Sequence, residues 1–359
     1  MPNIDSVSRV IFISDLFKVD DRAADRSMNP QRINIEWIHA LFSPLLQQAL
    51  QVSTTLITGE EVQHPLNRVS FYHRKKLPMT SAGWAAIYED LDCTTTAGAI
   101  VQALESSLVI GFEMPPYLIR ILTDASIPYV DLGIHPIRYL PDYIFGIRSN
   151  SSAIHERIVK SRIPEAVFTD FARISAARTV RVMRGWRPQA GSALFLGQIE
   201  VDASLIHKGR VFDIGDVEAQ LLELLQSYPK IYYKFHPHRK EKASVEKFLK
   251  AHPSFAVADV NIYDGLACPE FLLVCSLSSG ALLEAKRFGK NTSRLLENFN
   301  AYDLDSGIEV GRHYLPAPFN IFSEQYWKFL IGNTPSFEAK VPDACDGALK
   351  FSLNQKWGR

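Results

Sequence analysis

Three residues within five positions stand out as chemically equipped. In the run "ALFLGQIEVDAS" (193–204) an apolar stretch reaches Gly197 and then presents Gln198, Glu200 and Asp202. A carboxylate at a strand tip can act as nucleophile or general base in group transfer. The same loop also reads as plain structure, with Asp202 or Ser204 capping a helical turn. Gly197 allows a tight turn or a close backbone approach there.

Two further stretches carry groups suited to a phosphate. In "YYKFHPHRK" (232–240) Lys234, His236 and His238 alternate, so an extended segment places them on one face. Pro237 restricts the backbone at His236. A cation beside imidazoles suits a departing phosphate, although an exposed basic turn has the same composition. The His-x-His pair lacks a third ligand for a metal. In "VCSLSSGALLEAKRFGK" (274–290) Ser278, Ser279 and Gly280 open a helix. Its N–H groups and hydroxyls suit an anion, or the serines simply cap it. Glu284 follows one turn later, within reach of a ribose hydroxyl.

These tips need strands to hold them. Apolar runs at 9–17, 53–59, 106–113, 127–136 and 142–150 alternate with helix-like stretches at 34–50, which contains Pro44, at 115–126 and at 152–186. "RPQAGSA" (187–193) reads as a domain boundary, and a second βα series follows it. The pattern predicts an α/β protein of two Rossmann-like domains facing a cleft, with parallel sheets and flanking helices. The expected domains are 1–190 on the acceptor side, 191–322 binding the donor, and a helix and tail over 323–359 packing back on the first. In such sheets ligands sit beyond the carboxyl ends of the strands.

The first-half tips present Asp15, Glu113, Asp131, His135 and Arg138. Glu113 stands between an apolar run and Pro115-Pro116, a place for a base or a sugar-hydroxyl ligand. Arg138 suits a substrate carboxylate. Structural loop roles for His135 and Arg138 explain their positions equally well.

Composition narrows the class. Lys+Arg and Asp+Glu both number 39, which argues against a nucleic-acid binder driven by bulk charge. The four cysteines show no C-x-x-C spacing, so neither a disulfide nor a zinc framework is expected. The D-x-D patterns at 89–92 and 302–306 follow no strand tip, and no metal role is assigned to them. The N-terminus lacks the basic start and long apolar stretch of a signal peptide, and no segment has the length of a membrane span. A cytoplasmic protein is expected, peripheral to a membrane through a partner.

Together the three stretches resemble the retaining β-Kdo transferases of bacterial capsule and O-antigen synthesis, Kdo being 3-deoxy-D-manno-oct-2-ulosonic acid. That family shows a strand ending in G-Q-x-E-x-D-A-S, then Y-K-x-H-P, then an S/T-S turn before a helix that carries Glu and ends in G-K. The matching residues are Gly197, Gln198, Glu200, Asp202, Ala203 and Ser204; Tyr233, Lys234, His236 and Pro237; and Ser278, Ser279, Glu284, Gly289 and Lys290. The resemblance spans roughly residues 193–295 and leaves the first half unmatched. It implies a GT-B-like fold, a CMP-Kdo donor, retention of configuration and no cofactor. It also implies that Asp202 is the nucleophile, that Lys234, His236, Ser278, Ser279 and Gly280 receive the phosphate, and that Glu284 holds the ribose. Gln198 would orient the sugar or Asp202, and Glu200 would position the acceptor or act as base. The implied acceptor is a surface-polysaccharide glycan, free or lipid-linked, at the inner face of the inner membrane.

Two other readings stay open. H-P and S-S elements also occur in CMP-sialic acid transferases, whose inverting chemistry would need a base such as Glu113 or Asp15. The chain could also be a nucleotide-sugar-binding component of a polysaccharide assembly complex, without turnover. A GT-B-like sugar-nucleotide epimerase is a more distant fit.

Overall fold

A computed structural model describes residues 7–62, 64–91, 94–180, 187–296, 301–305 and 307–341. The chain divides into two units. One comprises Met1–His135, Pro141–Ile163 and Ala301–Arg359; the other comprises Pro136–Leu140 and Pro164–Asn300.

In the first unit, strands β1 (Arg9–Ile13), β2 (Ser53–Ile57), β3 (Ser107–Phe112) and β4 (Tyr129–Ile134) pair in parallel. Strand β5 (Phe145–Ser149) runs antiparallel to β4 and so departs from the all-parallel expectation. Every residue of β3, β4 and β5 is buried, which is why these runs read as continuously apolar rather than alternating. Helix Arg32–Leu50 lays Ile35, Ile38, Phe42 and Leu46 on this sheet and keeps Pro44 within its span. Helix Glu324–Ile331 buries Trp327 against Phe42, with ring centroids 5.3 Å apart.

In the second unit, β6 (Ser192–Leu196) lies at the centre of a five-stranded parallel sheet. Beyond it come a small antiparallel hairpin, β7 (Ile206–His207) and β8 (Arg210–Val211), and then the remaining sheet strands. These are β9 (Ile231–Lys234), β10 (Phe255–Val257), β11 (Phe271–Ser276) and β12 (Asn291–Arg294), in the order β10-β9-β6-β11-β12. Along β6, Ala193 and Phe195 enter one core while Leu194 and Leu196 enter another. Alternation into two cores means that both faces of the sheet are covered by helices. A last short strand, β13 (Leu315–Pro316), returns to the first unit and pairs antiparallel with β5.

The α/β class and its two Rossmann-like sheets are as expected. The division along the chain is not. Helix Glu165–Val180 packs on helices Ile262–Ala267 and Ala281–Arg287 of the second unit. Glu165 forms an ion pair with Arg287 there, and Phe168 and Ala172 are buried. The expected boundary at 190 therefore falls at Ile163/Pro164. The boundary expected at 322 falls at Asn300/Ala301, because β13 completes the first sheet.

Candidate active site

The strand order makes the three tips neighbours: β9 and β11 flank β6 directly. Past β6 the N–H of Gly197 donates to Lys234 O at 2.9 Å. A Cβ at Gly197 would strike the Tyr233 hydroxyl, so the close approach of Tyr233 requires glycine.

Gln198 is buried and joins all three tips. Its Oε1 accepts the Ser278 N–H at 2.9 Å and the Ser276 hydroxyl at 3.2 Å. Its Nε2 donates to Ser278 Oγ at 3.1 Å and to Ser204 Oγ at 3.0 Å. Its carbonyl accepts from Arg239 Nη1 at 3.2 Å. Ser204 in turn donates its N–H and its hydroxyl to Asp202 Oδ1, both at 2.9 Å. Asp202 is thus the cap of the short turn Ala203–Leu205, and the hydrogen bonds it accepts fall on Oδ1. Among the described residues Oδ2 accepts none. The capping role and an available carboxylate oxygen coexist in one side chain.

Glu200 is half-buried, and its Oε1 accepts the Glu241 N–H at 2.5 Å. Burial raises the pKa of this carboxyl, but N–H groups of Glu200, Glu241 and Lys240, with the charge of Arg239, outweigh it and hold the pKa below the usual glutamate value. Arg239, which the sequence did not single out, is buried. It bonds Glu241 O at 2.8 Å, Gln198 O at 3.2 Å and the Asp213 carboxylate at 3.0 Å. It sits in "HPHRKEK", where every neighbour looks solvent-facing; only its partners mark it.

Lys234 is half-buried; burial lowers its pKa, and the charge of Asp259 opposes that. His236 is also half-buried, and its Nδ1 accepts the His238 N–H at 3.2 Å. In the neutral ring that bond places the proton on Nε2. The N-cap of the helix is Gly280, with no side-chain cap; one residue before it, the Ser279 hydroxyl accepts the Ala281 N–H at 3.2 Å in a local turn. Ser278 is committed to Gln198. A Cβ at Gly280 would lie 2.6 Å from Pro136 Cβ. Glu284 is buried, at 2% exposure, and its Oε1 accepts the Arg138 N–H at 2.6 Å and the Tyr263 hydroxyl at 3.1 Å. Burial dominates and pushes this carboxyl up to about 7. Arg138, expected in the first domain, belongs to the second unit through this bond.

In the first unit Asp15 is buried under three donors: Trp84 Nε1 at 2.7 Å, the Tyr117 hydroxyl at 3.0 Å and the Phe17 N–H at 3.0 Å. Burial raises its pKa. It organises the interior rather than lining a surface. Asp131 is likewise internal, bonded to Arg148 at 2.7 Å and to the Tyr314 hydroxyl at 2.5 Å. Glu113 is exposed beyond β3 and holds φ at 49°, in the left-handed region that non-glycine residues rarely adopt. His135 is buried, with its ring edge-on to Tyr302 at 5.4 Å. Tyr302 occupies a shelf formed by Gly133 and Gly146, which face each other across β4 and β5. It stacks on Tyr314 at 4.6 Å. The paired glycines were the only sequence signal for this shelf, and their pairing depends on strand register.

None of the described helices is long and apolar enough to cross a membrane. No family model matches the chain, and no curated protein does. Among solved structures it is similar to the Thermosulfurimonas dismutans KpsC, a beta Kdo 2,7 transferase, at 16% identity over 74% of this chain and 91% of that one, with a TM-score of 0.39. It is similar to the UDP-GlcNAc 2-epimerase of Methanocaldococcus jannaschii at 11% identity, 98% and 99% coverage and a TM-score of 0.32. The corresponding values for the UDP-GlcNAc 2-epimerase of Neisseria meningitidis are 11%, 98%, 100% and 0.29.

Proposed function

We propose that this protein is a retaining glycosyltransferase that moves Kdo from CMP-Kdo to a glycan acceptor of a bacterial surface polysaccharide. It would work in the cytoplasm, at the inner face of the inner membrane. The observation that carries the reading is the hydrogen-bond path from Gln198 through Ser204 to Asp202 Oδ1, which holds one carboxylate oxygen and leaves Oδ2 for chemistry.

In the first step Asp202 Oδ2 attacks the anomeric carbon as its bond to the CMP phosphate oxygen breaks. CMP leaves with the bonding electron pair, and a glycosyl ester forms on Asp202. In the second step an acceptor hydroxyl attacks the anomeric carbon, the Asp202 carboxylate leaves with the bonding electron pair and the hydroxyl proton passes to water, so two inversions restore the starting configuration. Lys234 and His236, at the tip of the strand on the other side of β6 from the Ser278–Gly280 turn, stabilise charge on the departing phosphate together with that turn, without a metal. Glu284 contributes to the ribose side once its bond to Arg138 is exchanged for one to the nucleoside.

The test is CMP release from CMP-Kdo with a panel of glycan acceptors, together with the product's anomeric configuration by NMR. A β-linked product, and a Kdo adduct on Asp202 by intact mass spectrometry without acceptor, are expected. Normal turnover by Asp202→Asn overturns the reading. An inverted product would instead favour a CMP-sialic acid type of transferase with Glu113 as base, a reading supported by that residue's exposed, strained backbone. Asp15, under its three donors, is unsuited to that role. Tight CMP binding with no turnover would favour a non-catalytic component of an assembly complex.

A further inference from the structure

Glu200 and Arg239 form reciprocal links between the same two loops. From the β6 side, the Glu200 carboxylate takes the Glu241 N–H at 2.5 Å, and the Lys240 N–H also lowers its pKa. From the β9 side, Arg239 donates to Gln198 O at 3.2 Å and, within its own loop, to Glu241 O at 2.8 Å. The Arg239 N–H donates to His236 O at 3.0 Å, closing the turn that carries the imidazole. Asp213 fixes the far side of the guanidinium at 3.0 Å and is itself braced by the Ser244 hydroxyl at 3.0 Å. Every one of these bonds lies within the second unit.

We infer that Glu200 and Arg239 are a clasp: positioning residues that set the His236 turn against the Asp202 loop, with Glu200 acting through this clasp and not as the base. The inference rests on the transferase reading for its kinetic consequence, while the clasp itself is measurable without turnover. Both lines come from one geometry. A carboxylate with backbone N–H groups aimed at it is stabilised as an anion, which makes it a poor proton acceptor at neutral pH. A guanidinium buried with three oxygen partners is held in one orientation by its fixed fork of donors.

The experiment compares Glu200→Gln, Glu200→Ala and Arg239→Lys in the full chain. Amide hydrogen exchange over residues 236–242 is read without substrate, and kcat, KM and the pH profile are read with CMP-Kdo. A glutamine still offers an oxygen to the Glu241 N–H. Glu200→Gln is therefore expected to keep slow exchange and an unchanged pH profile, with kcat within about threefold of the parent. Glu200→Ala and Arg239→Lys are expected to speed exchange in this segment alone. They should also lower kcat by roughly tenfold to a hundredfold, the loss typical of a hydrogen bond to a charged group. Inactivity of Glu200→Gln with exchange protection intact overturns the inference, because it makes the carboxylate catalytic. Unchanged exchange in Glu200→Ala overturns it as well. If the parent protein does not release CMP, the transferase reading fails, and the exchange result still decides the clasp.

Discussion

Gln198 grips Ser278 from both ends of its amide: Oε1 accepts the serine N–H at 2.9 Å while Nε2 donates to its hydroxyl at 3.1 Å. This fixes the amide's orientation and with it the donor that reaches Ser204. Replacing Gln198 with Glu removes both Nε2 donations and buries a charge beside Ser276. The variant is expected to lose about 1–3 kcal/mol of stability, read by denaturant unfolding, whereas Gln198→Asn should lose a comparable amount by falling short of both partners.

Asp202→Asn separates the two jobs of that residue. An asparagine still caps the Ala203–Leu205 turn, so the unfolding midpoint should stay close to the parent's. Under the proposed chemistry kcat should fall by about 10³-fold or more, the scale seen when a catalytic carboxylate is removed. Steady-state CMP release and thermal melting on the same sample check both halves.

Glu284 gives the fold a pH dependence. Its folded pKa, about 7, lies above the ordinary 4.5. Protonation is therefore tighter in the native state, and the contribution is fully present below about 4.5 and lost as pH rises through about 7. From pH 5 to pH 8 the parent should lose up to about 3 kcal/mol relative to Glu284→Gln, whose amide cannot ionise. Equal pH slopes for the two proteins in urea unfolding would refute this.

The glycine shelf tests packing in the first unit. Alanine at Gly133 strikes the Tyr302 hydroxyl, and alanine at Gly146 approaches its ring to 2.6 Å. Gly133→Ala should destabilise by roughly 1–3 kcal/mol, the usual cost of overpacking. Adding Tyr302→Ala should recover part of that loss, so a double-mutant cycle should show coupling.

Glu113→Gly relieves the left-handed backbone at φ 49°. A gain of about 1 kcal/mol in stability is expected. Denaturant unfolding of the two proteins side by side checks this, and an unchanged midpoint would refute it.

Much of the second unit was legible in the sequence. The apolar runs of β6, β9 and β11 and the polar residues after each are local features, and they were read at the right positions. What the sequence could not supply was adjacency. That β9 and β11 both flank β6 depends on pairing between segments tens of residues apart, and only that pairing makes Gln198 a junction. Arg239 was invisible for the same reason: within its own run it is one cation among several, and its burial is made by Asp213 and Gln198. Glu284 reads as a ribose ligand one turn into a helix, and its burial is not legible because a residue that bonds it, Arg138, lies in a segment remote in sequence. Asp15 read as a strand-tip carboxylate, yet its donors come from Trp84 and Tyr117 on two later elements.

The route of the chain has a consequence for anyone who would cut it. The polypeptide passes between the units after His135, Leu140, Ile163 and Asn300. A fragment started at the obvious linker near 190 would leave behind Tyr139 and Phe168, whose hydroxyl-to-carbonyl bond of 3.0 Å joins the two segments that complete the second unit. The second unit is therefore not a contiguous cassette. Recombination between relatives at a single crossover would separate a core from part of its own lining, and chimeras of this protein need four junctions where the sequence suggests two.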